Sequence, residues 1–209
     1  MKGILTKEKY VIWHTCSLYL IIPLFFYVIM IVTLFIRKTT LDGFPIGTVY
    51  MFMGITPIAT TNADIQSRWN TSCLTMPYSR SQIVSAKYIC ALILTAGVTV
   101  SWLMMIFICR MLGADITANT ILSLTFTGTA FGLMPAAIFL PLSFKWYNTT
   151  GGKRIVLGGI MGGVVGGANS YIMSHVPGAK GSAIFMGMMT AAFFISWLIS
   201  VKIFERKDV

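Results

Sequence analysis

Any chemistry in this chain of 209 residues rests on few ionisable groups, with six acidic residues and two histidines beside sixteen Lys and Arg. The acids are Glu8, Asp42, Asp64, Asp115, Glu205 and Asp208, and each lies at an end of a long apolar run or outside one. A carrier coupled to protons or sodium must bind and release its ion inside the spans, so it keeps ionisable side chains there. That class does not fit. There is no HExxH, no GxSG and no pair of aspartates in facing apolar runs, the usual carriers of hydrolytic chemistry. Gly152–Lys153 lacks the earlier glycine of a GxxxxGK[ST] phosphate loop. The chain is therefore expected to be no enzyme and to bind no nucleotide, metal or other cofactor itself. Cys16, Cys73, Cys90 and Cys109 show no CxxC spacing and predict no disulfide within the chain.

Three stretches carry pattern without catalysis. The segment from Asp64 to Val84 is too polar to span a membrane. Trp69, Cys73 and Met76 recur at helical spacing, Pro77 stops the helix, and Tyr78–Ser79–Arg80 turns into the next apolar run. This is a short helix that presents Trp69 and Arg80 to a cytosolic partner, or one that lies on the membrane surface with Trp69 at the interface. Gly158, Gly159, Gly162, Gly163, Gly166 and Gly167 form two offset GxxxGxxxG series. Such a stripe lets helix backbones approach closely. Packing within one subunit, a dimer contact built on Gly158, Gly162, Gly163 and Gly166, and a pliable pathway wall are all open. Lys145, Lys153 and Arg154 make a basic group after the fourth apolar run.

The elements that must hold these stretches follow from composition. Hydrophobic residues make up 56% and charged residues 11% of the chain, against about 25% charged in soluble domains. The mean hydropathy is +0.79. Six runs without Asp, Glu, Lys or Arg are each long enough to cross a bilayer. They place spans at about 16–36, 44–63, 88–109, 118–144, 155–174 and 182–202. With both termini in the cytoplasm, twelve basic residues fall inside and four outside, as the positive-inside rule requires. The net charge of +10 is thereby explained by topology, without nucleic acid. The segment from Met1 to Thr15 mixes Ile4, Leu5, Val11 and Ile12 with Lys2, Lys7, Glu8 and Lys9. It reads as an amphipathic helix on the inner membrane surface, or as a frayed basic end that sets topology. The expected fold is an all-α membrane protein in a single transmembrane domain, 1–209, with six transmembrane helices, an N-terminal interfacial helix and a short cytoplasmic coupling helix between spans 2 and 3.

A transporter with no ion site in its spans and no nucleotide site takes its power from another subunit. The other class that fits is a passive pore or a non-transport membrane scaffold. The residues also resemble a known family. The opening Met1–Glu8 is similar to the short N-terminal helix of small six-span ABC-2 transporter permeases of Gram-positive bacteria. So is the segment Asp64–Trp69, followed by Leu74–Thr75–Met76–Pro77–Tyr78–Ser79–Arg80, Ile83–Val84 and Lys87–Tyr88. Leu140–Pro141–Leu142–Ser143–Phe144–Lys145 and Lys153–Arg154 resemble the family's pattern after the fourth span. The sequence departs from it at Met76, where the family usually has Leu, and in lacking an acid before Lys153.

The resemblance implies a permease subunit in a bacterial plasma membrane, paired with a second permease chain and with cytosolic ABC ATPase subunits that hold ATP and Mg. It implies export, and relatives that move phenol-soluble modulins or bacteriocin-type peptides make an amphipathic peptide the lead cargo. Arg68, Trp69, Leu74, Pro77, Ser79 and Arg80 are then the expected ATPase-coupling residues.

Overall fold

The computed structural model describes residues 2–15, 17–37, 46–67, 69, 79–114, 116–146 and 152–206. Among them are seven helices and no strand: α1 (Lys2–Thr15), α2 (Ser17–Arg37), α3 (Ile46–Gln66), α4 (Arg80–Met111), α5 (Ala118–Lys145), α6 (Gly152–His175) and α7 (Ala179–Glu205). The all-helical expectation holds.

Four of these helices are long and apolar enough to cross a membrane: α4, α5, α7 and the Val156–His175 part of α6. In α2 the described apolar stretch is Ile21–Val32. Its Ile21, Leu24, Phe25, Val28 and Val32 are exposed, as side chains facing hydrocarbon would be. In α3, Thr56, Thr60, Thr61, Asn62 and Asp64 dilute the apolar character, and all but Asn62 are buried against neighbouring helices. A helix shielded on most sides need not be apolar all round.

The centre of the bundle is α5, which packs against α3, α4, α6 and α7. Half of its apolar window, 50%, is buried, against 6% for α6, which lies on the periphery. Small residues allow the closest approach: a Cβ on Gly54 of α3 would collide with the Gly132 carbonyl oxygen of α5. In hydrocarbon, helices associate through such packing and through hydrogen bonds rather than by expelling water. Tyr88 Oη of α4 lies 2.8 Å from Ser196 Oγ and 2.7 Å from Ser200 Oγ of α7. Ser196 Oγ donates to the Ala137 carbonyl of α5 at 2.6 Å, tying three helices together. Prolines 135 and 141 sit inside α5, which continues through both.

Two apolar clusters mark the ends. One joins Ile4 of α1 to Ile83, Val84, Leu140, Phe144 and Phe204, and defines the α1 end of the bundle. The other joins Met30, Ile46, Trp102, Cys109 and Ile116 at the opposite end. Helices α3, α5 and α7 therefore all end at the α1 end, and α4, which begins there, runs antiparallel to them. The N-terminal segment is a helix rather than a frayed end. It does not lie free of the bundle, because Ile4 and Glu8 are buried in it.

Candidate functional site

The candidate site is built at the α1 end, on the face of α1 that carries Ile4, Leu5 and Glu8. Ile4 is buried and Leu5 packs against the same cluster. One turn on, at the spacing that keeps side chains on one helix face, Glu8 is 1% exposed. Its carboxylate is 2.8 Å from Lys87 Nζ of α4 and 3.0 Å from Lys7 Nζ of its own helix. Lys87 Nζ also lies 2.6 Å from Asp64 Oδ2 of α3 and donates to Thr60 Oγ1 at 3.1 Å. Lys7 completes the set by bonding to Asp64 Oδ1. Each carboxylate thus meets both ammonium groups in a closed ring of two cations and two anions.

A charge taken out of water costs several kcal/mol unless it is paired and hydrogen-bonded. Here all four are. Burial alone would raise the Glu8 pKa, but the attraction and hydrogen bonds of Lys87 and Lys7 outweigh it. The carboxyl is held below its ordinary value of 4.5. Glu8 is ionised at neutral pH.

Of the expected coupling residues, Trp69 stands beside this ring. Trp69 is partly buried against the apolar cluster of the α1 end, and Lys7 Nζ stands 4.9 Å from its ring centroid. The cation–π contact joins it to the ring of charges. Arg68, Leu74 and Pro77 lie outside the described residues, as does the helix expected between them. Ser79 is the N-cap of α4: its side chain accepts from the Gln82 N–H while the Gln82 side chain accepts from the Ser79 N–H, each at 3.3 Å. Helix α4 consequently begins at Arg80, eight residues before the apolar run that starts at Tyr88. Arg80 Nη1 donates to the Glu205 carbonyl at 3.0 Å and to the Phe204 carbonyl at 3.4 Å, the open acceptors at the end of α7.

The glycine stripe divides. A Cβ on Gly158 would collide with the Phe139 ring of α5, and one on Gly162 would reach Met134 Cε at 3.1 Å. A Cβ on Gly159, Gly163, Gly166 or Gly167 would meet nothing within 4 Å. Gly158 and Gly162 of one series therefore serve packing within the chain, while Gly166 of that series and all of the other are turned away from it. Lys145 is exposed at the end of α5, with Nζ 5.5 Å from the Trp146 ring. Lys153 and Arg154 fall in the first turn of α6, and their side chains are outside the described residues.

A cavity of about 400 Å³ opens between α2 and α4. Its wall is almost wholly apolar and includes Pro23, Leu24, Ile93 and Gly97, with Tyr27 and Ser101 as its polar members. Tyr27 Oη and Ser101 Oγ are 2.9 Å apart and Ser101 Oγ donates to the Val98 carbonyl at 2.8 Å, so both hydroxyls are engaged within the protein.

In the sequence, Asp64 and Lys87 read as charges flanking spans and as part of the pattern around the second connection, and Glu8 as part of a surface helix. The missed signal was an acid in register with Ile4 and Val11 on the apolar face of α1.

The described helices form one bundle, four of them long and apolar enough to cross a membrane, which is the architecture of a multi-pass membrane protein. A family model described as ABC-2 family transporter protein matches residues 3–205, and the chain belongs to that family. It is thus a multi-pass membrane protein, the permease subunit of an ABC transporter, working with a cytosolic ABC ATPase and within a membrane dimer. Such subunits are typically not catalytic themselves, and the pore or scaffold alternative is set aside. Comparison with curated proteins and with solved structures returns no match.

Proposed function

We propose that the chain is the permease of an exporter, with six spans, both termini in the cytoplasm and α1 at the inner membrane surface of a bacterial plasma membrane. ATP and Mg are held by the partner ATPase. The observation that carries this reading is the concentration of buried charge, the Trp69 anchor and the capped start of α4 at one end of the bundle, beside the 68–80 connection. The permease has no phosphate loop of its own, so a segment on the ATPase side must receive the mechanical signal. Arg68, Trp69, Leu74, Pro77, Ser79 and Arg80 carry that contact. The basic residues Lys145, Lys153 and Arg154 lie on the same face. Part of Arg80's role is internal, since it caps α7.

The cargo in this reading is hydrophobic or amphipathic, with a small toxin- or bacteriocin-like peptide as the lead. Support comes from the apolar cavity between α2 and α4, which suits an apolar side chain or acyl group and offers little to a charged one. The test is co-purification of the tagged chain from native membranes. Recovery of an ATPase with a P-loop, together with increased sensitivity to amphipathic peptides on deletion, is the expected result. Recovery of no ATPase would overturn the reading.

A further inference from the structure

The ring at the α1 end has a topology that simple stabilisation does not require. Asp64 stands near the end of the helix that enters the 68–80 connection, and Lys87 stands two turns into the helix that leaves it. Neither neighbour in sequence closes the ring. The partners that do, Lys7 and Glu8, come from α1, more than fifty residues away along the chain.

We propose that Glu8 is the keystone of an ion-pair clamp that fastens α1 across α3 and α4, so that the two helices flanking the coupling connection move as one body with α1.

Three observations carry the clamp. First, the bonding is closed: Lys7 and Lys87 each contact both Glu8 and Asp64, so no helix can slide along another without breaking at least one buried pair. Second, the clamp reaches the connection. The Lys7 ammonium that bonds Asp64 also faces the Trp69 ring, so displacement of Trp69 is felt at the ring of charges. Third, it is braced from within α3. Lys87 donates to Thr60, and Thr60 and Thr61 both donate to the Pro57 carbonyl, at 3.0 and 2.7 Å. Apolar side chains of similar volume would hold three helix ends together at least as firmly. What charges add is directional register: each ammonium has a fixed pair of acceptors, whereas apolar surfaces permit sliding. Glu8 is a positioning residue in this scheme. It acts through Lys7 and Lys87.

The clamp belongs to this chain alone. Its use in passing motion from the ATPase rests on the permease reading above, and the experiment separates the two. Nitroxide labels are placed at Tyr10→Cys on α1, where the side chain is exposed, and at Leu92→Cys on α4, in a chain with Cys16 and Cys73 replaced by Ser. Distances are measured by pulsed EPR in lipid nanodiscs without any ATPase. The otherwise unaltered chain should give one narrow distribution. Glu8→Gln should broaden it. Glu8→Gln combined with Lys87→Met removes one charge of each sign and leaves Lys7 and Asp64 paired. If the residues matter only because an unpaired buried charge is intolerable, this double variant returns to the narrow distribution, which would overturn the clamp. The clamp predicts that the double variant inserts and folds but stays broad. With the co-purified ATPase, nucleotide-free and ATP-trapped complexes should give the same α1–α4 distance. A shift between them would also overturn the proposal, because the ring would then open during the cycle. Failure to find an ATPase would count against the permease reading and would leave the nanodisc measurements to decide the clamp.

Discussion

Lys87 Nζ lies 2.6 Å from Asp64 Oδ2, an ion pair that bridges the helices on either side of the 68–80 connection. With Glu8 and Lys7 it forms a group of two cations and two anions at one end of the bundle, in which Glu8, Asp64 and Lys87 are buried and Lys7 is partly exposed. Its pH behaviour, and the neighbouring packing, can be tested separately from transport.

Glu8 sets an acid limit. Its folded pKa lies below 4.5 because Lys87 and Lys7 outweigh the cost of burial. A lowered pKa means that the folded state binds fewer protons than the unfolded one, so the stabilisation is fully present above the unfolded value. It is lost as pH falls through the folded pKa. The melting temperature of the purified chain in lipid should therefore drop on acidification below about pH 4.5. In Glu8→Gln that drop should be smaller, starting from a lower melting temperature at neutral pH. An identical acid profile for the two proteins would contradict the assignment.

The packed and the open glycines of the stripe should part company. Gly158→Leu drives a side chain into Phe139, an overpacking that costs about 1–3 kcal/mol. Melting of the single chain in lipid should reveal it. Gly163→Leu and Gly166→Leu point into open space and should leave that melting unchanged. Any effect of theirs on assembly, measured by cross-linking of two chains in the membrane, would then report a contact outside this chain.

Arg80 is expected to hold the end of α7. Arg80→Ala removes donors to the Glu205 and Phe204 carbonyls at a cost of roughly 1 kcal/mol for a partly exposed site. Hydrogen exchange of the amides near 202–206 should speed up, with little change in α5. Unchanged exchange there would show that the cap contributes nothing.

Gly97 lines the cavity between α2 and α4, and a Cβ there meets nothing within 4 Å. Gly97→Leu should fold normally and fill part of the space. If cargo passes there, cells carrying the variant should lose resistance to amphipathic peptides while keeping wild-type amounts of the chain in the membrane. Full resistance would remove the cavity from the route.

Much of the architecture is legible in the sequence because bilayer thickness fixes the length of an apolar run. The stretches from Ala118 to Lys145 and from Ala179 to Glu205 are helices for that reason. A charge-free run marks the apolar span from Tyr88 but not the start of its helix, which capping sets. Ser79 and Gln82 form a reciprocal cap that carries the helix eight residues beyond the apolar segment. The ring of charges was not legible as a unit. Pairing between α1, α3 and α4 is a tertiary event, and nothing in local spacing says that Lys87 meets Glu8 rather than water. The division of the glycine stripe was hidden for the same reason, since only the position of Phe139 distinguishes Gly158 from Gly163.

The central claim is that a separate ATPase drives this permease through the connection anchored at Trp69. The most direct measurement is the ATPase rate of the purified complex in proteoliposomes, with and without an amphipathic peptide, for the native chain and for Trp69→Ala. The account predicts peptide-stimulated hydrolysis in the native complex. For Trp69→Ala it predicts loss of that stimulation or release of the ATPase, with the permease still inserted. Loss of an aromatic anchor typically costs on the order of 2 kcal/mol or more of binding. Equal recovery of the ATPase and equal stimulated rates for the two chains would contradict it.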